Sequence, residues 1–511
     1  MSASTLAQHI ATRLANNQVQ QAHALLVTEL QKNPAHHEAW FLLAQVNAHV
    51  GDLNKALKLI DKALNEHRNS EYLLAKAKYL YLIGNVADCT QLLIDLDALP
   101  LNDAVALDTL ANLYSRLGNY VKAHQYHVQA VTQAPDNADI NVNAAISYAI
   151  MAKPEQAVSL LQHAIQLNPA NYRAHFIYAE HADAEQATAH TQQLSTLLAT
   201  QTHPIAKQHL HHALALELEK RSRFDDAFEA FTKSKQAVER RVQFNPQRHR
   251  DFCQQVKSLP SLTPSDNQSA PVFIAGMPRS GTTLVDKILC QSAQLASLGE
   301  LNDIAQSVKS LSQIQTPAVL TPEIVNGAAH APASALAQSY HVRYHALKMN
   351  APRGCDKQPF NFYYIDFILS AFPKAKIILM VRNKEDCCMA NMRQLYQVQS
   401  PFHHYAFKLE HIAAFYDDYL DLAKHFAAKY PEQVVLQSYE ELVSEGEQTM
   451  RHLYAFCDLP YQQDCLDFYA TPSACATASK LQIRQPLNTR SVGYWRHYEQ
   501  KYRAIVAADK Q

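Results

Sequence analysis

The chain has 511 residues, too many for one hydrophobic core, so two to four domains are expected. Its formal net charge of −1 gives no electrostatic footprint for nucleic acid or an anionic membrane. Only 10 glycines are present, which favours long helices over glycine turns. The start, MSASTLAQHIATRL, lacks the basic and apolar regions of a signal peptide. No apolar run approaches the ~20 residues that span a bilayer, so no membrane insertion is expected. The nine cysteines form no C-x-x-C pair and the 26 histidines lack ligand spacing. A reduced, cytoplasmic compartment and no metal site are the corresponding expectations.

The first 170 residues repeat with a period near 34. Anchors fall at Gly51, Gly84 and Gly118, with Asn17 one period earlier and Ala152 one later. Five residues after each come Ala22, Ala56, Cys89, Ala123 and Ala157. Twelve after the later four come Ala63, Leu96, Ala130 and Ala164. Small residues at fixed positions let paired helices approach closely, and each pair must stack on the next to bury its remaining face. The pattern resembles tetratricopeptide repeats, which implies an α superhelix, either a scaffold or spacer or one whose groove takes a peptide or protein partner. A further pair is expected around Phe224–Phe231, which carries the helical domain to residue 258. Residues 259–270, LPSLTPSDNQSA, read as a linker.

From residue 271 to 511 strands alternate with helices, the grammar of an α/β domain with a mostly parallel sheet. Val272–Ala275, Lys376–Val381 and Gln433–Gln437 are the expected strands. Helices are expected over Asn361–Phe372, Phe407–Tyr430 and Glu445–Cys457. Between the first strand and its helix lies MPRSGTT. Backbone N–H groups of such a loop, with a helix N-terminus behind them, form an anion site. Pro278, Arg279, Ser280, Gly281, Thr282 and Thr283 are the candidate contacts. The spacing Gly276-x-x-x-x-Gly281 matches a nucleotide-binding P-loop, but Thr282 stands where that motif requires lysine. That difference counts against phosphoryl transfer from ATP.

The run G-x-P-R-S-G-T-T-L resembles the 5′-phosphosulfate loop of sulfotransferases. The likeness is to the branch of tyrosylprotein sulfotransferases and bacterial proteins with N-terminal tetratricopeptide repeats, and it extends to about Tyr498. It implies transfer of a sulfuryl group from 3′-phosphoadenosine-5′-phosphosulfate (PAPS) to a hydroxyl acceptor, such as a tyrosine of a peptide or protein. Glu300, in Leu298-Gly299-Glu300, would be the base. Lys357, in a segment resembling N-K-x-P-F, would stabilise the leaving oxygen. Arg382 would bind the donor's 3′-phosphate, but the serine the family carries eight residues later is Ala390. Asn391 is adjacent to it, and Arg393 would cover for the second arginine found further along in the tyrosylprotein branch. Tyr439 belongs to a Y-E-x-L segment beside the nucleotide. The stretch Ser479–Asn488 resembles S-x-x-Q-V-R/K-x-P, which makes Ser479 a catalytic candidate and Arg484 a donor contact, with Arg490 and Trp495 further on. An ATP-dependent kinase and a non-catalytic repeat protein with a decayed transferase domain are the alternatives.

Overall fold

A computed structural model describes residues 3–101, 103–316, 318–347, 351–470 and 485–508. The chain packs into two compact units, Met1–His181 and Ala182–Gln511. This packing boundary lies well before the Pro- and Ser-rich segment at 259–270. That segment has no regular secondary structure, yet it is pinned where Ser265 N–H donates to the Ser370 carbonyl at 2.8 Å. No described helix is long and apolar enough to cross a membrane.

The first unit is an array of antiparallel helix pairs, among them His37–His49 with Leu53–Glu66 and Ala104–Arg116 with Tyr120–Gln133. Each turn inside a pair is left-handed at its anchor. Gly51, Gly84 and Gly118 have φ of 87°, 82° and 84°, and Asn17 and Ala152 reach 57° and 61° without being glycine. After each of the three glycines, the next residue caps the second helix: Asp52, Asn85 and Asn119 accept from the N–H of Lys55, Asp88 and Lys122. Such caps contribute about 1 kcal/mol each. Ala22, Ala56, Cys89, Ala123 and Ala157 are all buried at the helix contacts. A polar ladder crosses successive first helices: Asn112 and Asn143 each donate to Asp108 at 2.9 Å, and Arg173 donates to Asn143 at 3.1 Å.

The second unit begins with more helices, including α1 (Pro204–Lys220) and α2 (Phe224–Gln236). They repeat the same grammar, with Ser222 left-handed at φ 57° and Ala227 buried five residues later. A five-stranded parallel sheet follows: β1 (Val272–Gly276), β2 (Leu295–Gly299), β3 (Arg353–Lys357), β4 (Lys376–Val381) and β5 (Val434–Ser438), in the order β2-β3-β1-β4-β5. Successive side chains of a strand face opposite ways. Phe273, Ala275, Ile377 and Leu379 therefore enter one core, and Val272, Ile274, Ile378 and Met380 the other. Strands β2 and β3 are not expected from the sequence. Their residues, LASLG and RGCDK, carry no apolar run.

Candidate active site

All five strands run the same way, so their C-terminal ends share one edge, where open parallel sheets bind ligands. Each strand delivers a residue of interest to that edge. The 276–281 loop follows β1, Glu300 follows β2, Lys357 ends β3, Arg382 follows β4 and Tyr439 follows β5.

The loop closes onto helix α3 (Thr282–Leu289), whose N-cap is Gly281. Gly281 has φ 104°, and a Cβ there would lie 2.6 Å from Cδ2 of Tyr439. The loop's backbone thus rests directly on the tyrosine ring. Arg279 is also left-handed, at φ 72°, a strained backbone for a residue other than glycine. Its carbonyl is held by Arg382 Nη1 at 2.9 Å. The Pro278 carbonyl is held by Asn391 Nδ2 at 2.8 Å, from helix α4 (Lys384–Met392). Two side chains therefore staple the loop from beneath.

Asn391 does not face a cavity. It is fully buried, its amide donates to Pro278 and Cys387, and its carbonyl oxygen accepts from Tyr396 and Tyr405. With those bonds made, it supports the loop rather than touching a ligand. Arg393 is held by both carboxylate oxygens of Glu219 on α1, at 2.5 and 2.9 Å, and its guanidinium lies 4.5 Å from the Tyr494 ring centroid. Burial works against its charge, but the facing Glu219 carboxylate outweighs it and raises its pKa.

Two cavities meet at the loop, sharing Arg279 and Gly281. The first, about 300 Å³, is walled by Arg382, Ala390, Arg393, Tyr439, Arg490 and Ser491. Arg382 stacks on Tyr439, with its guanidinium 4.6 Å from the ring centroid, and also donates to the Ser491 carbonyl at 2.7 Å. Asp386 holds the far wall by accepting from the N–H groups of Gly493 and Trp495 at 2.6 and 3.0 Å. The second cavity, about 550 Å³, is walled by Pro278, Thr282, Thr283, Glu300, Phe360 and His403 among others.

This edge is cationic. Burial pushes the Arg279 guanidinium down, and Arg382 and Arg393 add to that. Among the described residues, Ser280 Oγ and Arg382 Nε are buried without a hydrogen-bond partner. Unpaired buried donors beside a cluster of cations fit an anion lodged at the loop.

Lys357 is 2% exposed and donates through Nζ to Glu300 Oε1, forming an ion pair. Glu300 is about half exposed, on the second cavity. Beside Lys357, Asp356 is wholly buried and accepts from Tyr340 OH at 2.9 Å. Burial pushes its carboxyl up to about 8, which favours the protonated form at neutral pH. Ser479 and Arg484 lie outside the described residues. One ligand-like cluster is present among the described residues, Asp286, Cys290 and Cys355. Burial holds the Cys355 thiol well above its usual range, which disfavours the thiolate a metal requires.

The segment after α4 carries Arg393, Gln394 and Tyr396 between the two cavities, and the two helices α1 and α2 clamp it. Gln208 donates to the Tyr396 carbonyl at 3.0 Å, Lys235 to the Gln394 carbonyl at 2.6 Å, and His212 to the Arg393 carbonyl at 3.2 Å. All three side chains are buried. Their partners lie 159 to 188 residues away, so no local spacing reveals them.

Burial pushes the Lys235 ammonium down from 10.5 to about 7. Below pH 7 the lysine is charged in both folded and unfolded chains, and the full penalty of burying the charge applies. Between about 7 and 10.5 the unfolded chain binds the extra proton, so this group makes stability rise with pH. The stability of the native protein minus that of Lys235→Met should therefore increase between pH 7 and 9 in denaturant melts. A flat difference would place no titrating lysine there.

Residues 271–463 match the sulfotransferase family model, and residues 13–79 match a tetratricopeptide-repeat model. An uncharacterized protein of Aquifex aeolicus is 27% identical over 480 residues, covering 91% of this chain and 58% of that protein. The protein-tyrosine sulfotransferase of Drosophila melanogaster is 25% identical over 254 residues, covering 45% of this chain and 48% of its own length. The chain thus spans about half the length of these relatives. Among solved structures, the chain is similar to YrrB, a tetratricopeptide-repeat protein with an unusual peptide-binding site. There the identity is 20% and the TM-score 0.27, over 32% of this chain and 86% of that one.

Proposed function

We propose that the second unit transfers a sulfuryl group from PAPS to a hydroxyl acceptor. The observation that carries this is the meeting of Glu300 and Lys357 at the mouth of the stapled loop, within the stretch that matches the sulfotransferase family. The loop N–H groups, Arg279, Thr282 and Thr283 would hold the 5′-phosphosulfate. Tyr439 and Arg382 would flank the nucleotide in the smaller cavity. Ala390 brings no hydroxyl to that cavity, a feature that favours the non-catalytic reading, but Ser491 lines the same wall. Ser491 and Arg490 would then join Arg382 at the 3′-phosphate.

In the reaction, the acceptor oxygen bonds to sulfur and the bond from sulfur to the 5′-phosphate oxygen breaks. The acceptor proton passes to Glu300, and 3′-phosphoadenosine-5′-phosphate departs with the bonding pair. Lys357 exchanges Glu300 for that bridging oxygen, which frees the carboxylate to act as base. No lysine of the P-loop type is required, because the transferring group carries less charge than a γ-phosphoryl.

The test is Glu300→Gln, assayed with labelled PAPS against a panel of hydroxyl acceptors. Turnover should fall by about two to four orders of magnitude, with donor affinity unchanged. Equal turnover in both proteins would remove Glu300 from the chemistry.

A further inference from the structure

The cavity that holds Glu300 has an apolar wall. A larger cavity of about 1100 Å³ shares Val319, Phe360 and Phe402 with it. Its floor is aromatic: Phe252, Tyr363 and Phe415 are buried, and Phe244 is half-buried. Polar atoms under that floor already have partners. His249 hydrogen-bonds Tyr363 OH through Nε2 at 2.6 Å and Asp418 through Nδ1 at 2.8 Å. The trough floor therefore presents ring faces, with Gln243, Asn245, Gln255 and Thr321 also among its lining. Its charged residues, Arg248 and Asp251, are exposed at the rim and opposite in sign.

From this geometry we infer that the acceptor is an uncharged hydroxyl compound with an extended apolar body, its hydroxyl at Glu300 and its chain along the aromatic trough. The inference rests on the sulfuryl-transfer reading and adds the substrate class to it. A trough of this volume matches the upper size of small-molecule pockets. An apolar chain gains by leaving water for the rings. An acidic tyrosine peptide would instead bring carboxylates and unpaired backbone groups against them, at a desolvation cost.

The full chain would be assayed for 3′-phosphoadenosine-5′-phosphate release with PAPS and 1-butanol, 1-hexanol or 1-octanol, and with a tyrosine peptide flanked by glutamates. Each buried methylene should raise kcat/KM about fourfold, which is roughly 250-fold over the four methylenes from butanol to octanol. Leu320→Arg, on the trough wall, should flatten that dependence. A flat chain-length response in the native protein, or a peptide that outperforms octanol, overturns the inference. If 3′-phosphoadenosine-5′-phosphate binds but chain length has no effect, the substrate class alone is wrong. If the nucleotide does not bind and no acceptor turns over, the transfer reading fails and this inference with it.

Discussion

Lys357→Met is expected to lower turnover by about two to three orders of magnitude, the usual effect of removing one preorganised group that meets charge in the transition state. Methionine fills much of the same buried space, so the fold should persist. The lysine's partner, Glu300, is about half exposed and would be hydrated once the ion pair is lost. Donor affinity should change little, because the loop, Arg382 and Tyr439 remain in place. Loss confined to kcat would assign Lys357 to the leaving oxygen. A variant that turns over within a fewfold of the native protein would leave the lysine with only a structural part.

The second large effect is expected at Gly281. Alanine there must adopt φ 104° and accommodate a Cβ 2.6 Å from the Tyr439 ring. Backbone strain of about 1–3 kcal/mol adds to overpacking of about 1–3 kcal/mol. Donor affinity should therefore fall by roughly two orders of magnitude or more, while far-UV circular dichroism stays native. Tyr439→Ala in the same chain removes the clash but not the strain, so a double-mutant cycle should recover part of the loss. Independent, additive losses would mean that the ring does not bear on the loop.

Much of this architecture is legible because it is local. A left-handed turn every 34 residues or so shows in the anchors, and Asn17 and Ala152 adopt it without glycine, followed by the same buried small residues. Strands β1 and β4 are buried apolar runs and read as such. Strands β2 and β3 are illegible because long-range partners stabilise them. Asp356 needs Tyr340, and Lys357 needs Glu300, before RGCDK can be buried.

The same limit applies at the site. The place of Asn391 beside Ala390 suggests a donor contact, but its burial beneath Pro278 gives it a supporting part. Arg393 reaches the smaller cavity tied to Glu219, a helix-pair residue that no motif names. Ser491 carries no sequence signal because it lies beyond the motif that contains Ser479 and Arg484. The clamp of Gln208, His212 and Lys235 ties the helices Pro204–Lys220 and Phe224–Gln236 to the second unit, where they hold the segment between the two cavities.

The stapled loop and the adjoining cationic cavity are proposed to hold a 3′-phosphorylated adenosine donor. Calorimetric titration of the full chain with 3′-phosphoadenosine-5′-phosphate, with and without Mg²⁺, tests this directly. The expected result is one site per chain, unaffected by Mg²⁺, weakened by Arg382→Ala and not competed by ATP. Absence of binding, or tighter binding of Mg²⁺-ATP to the same site, would contradict the account.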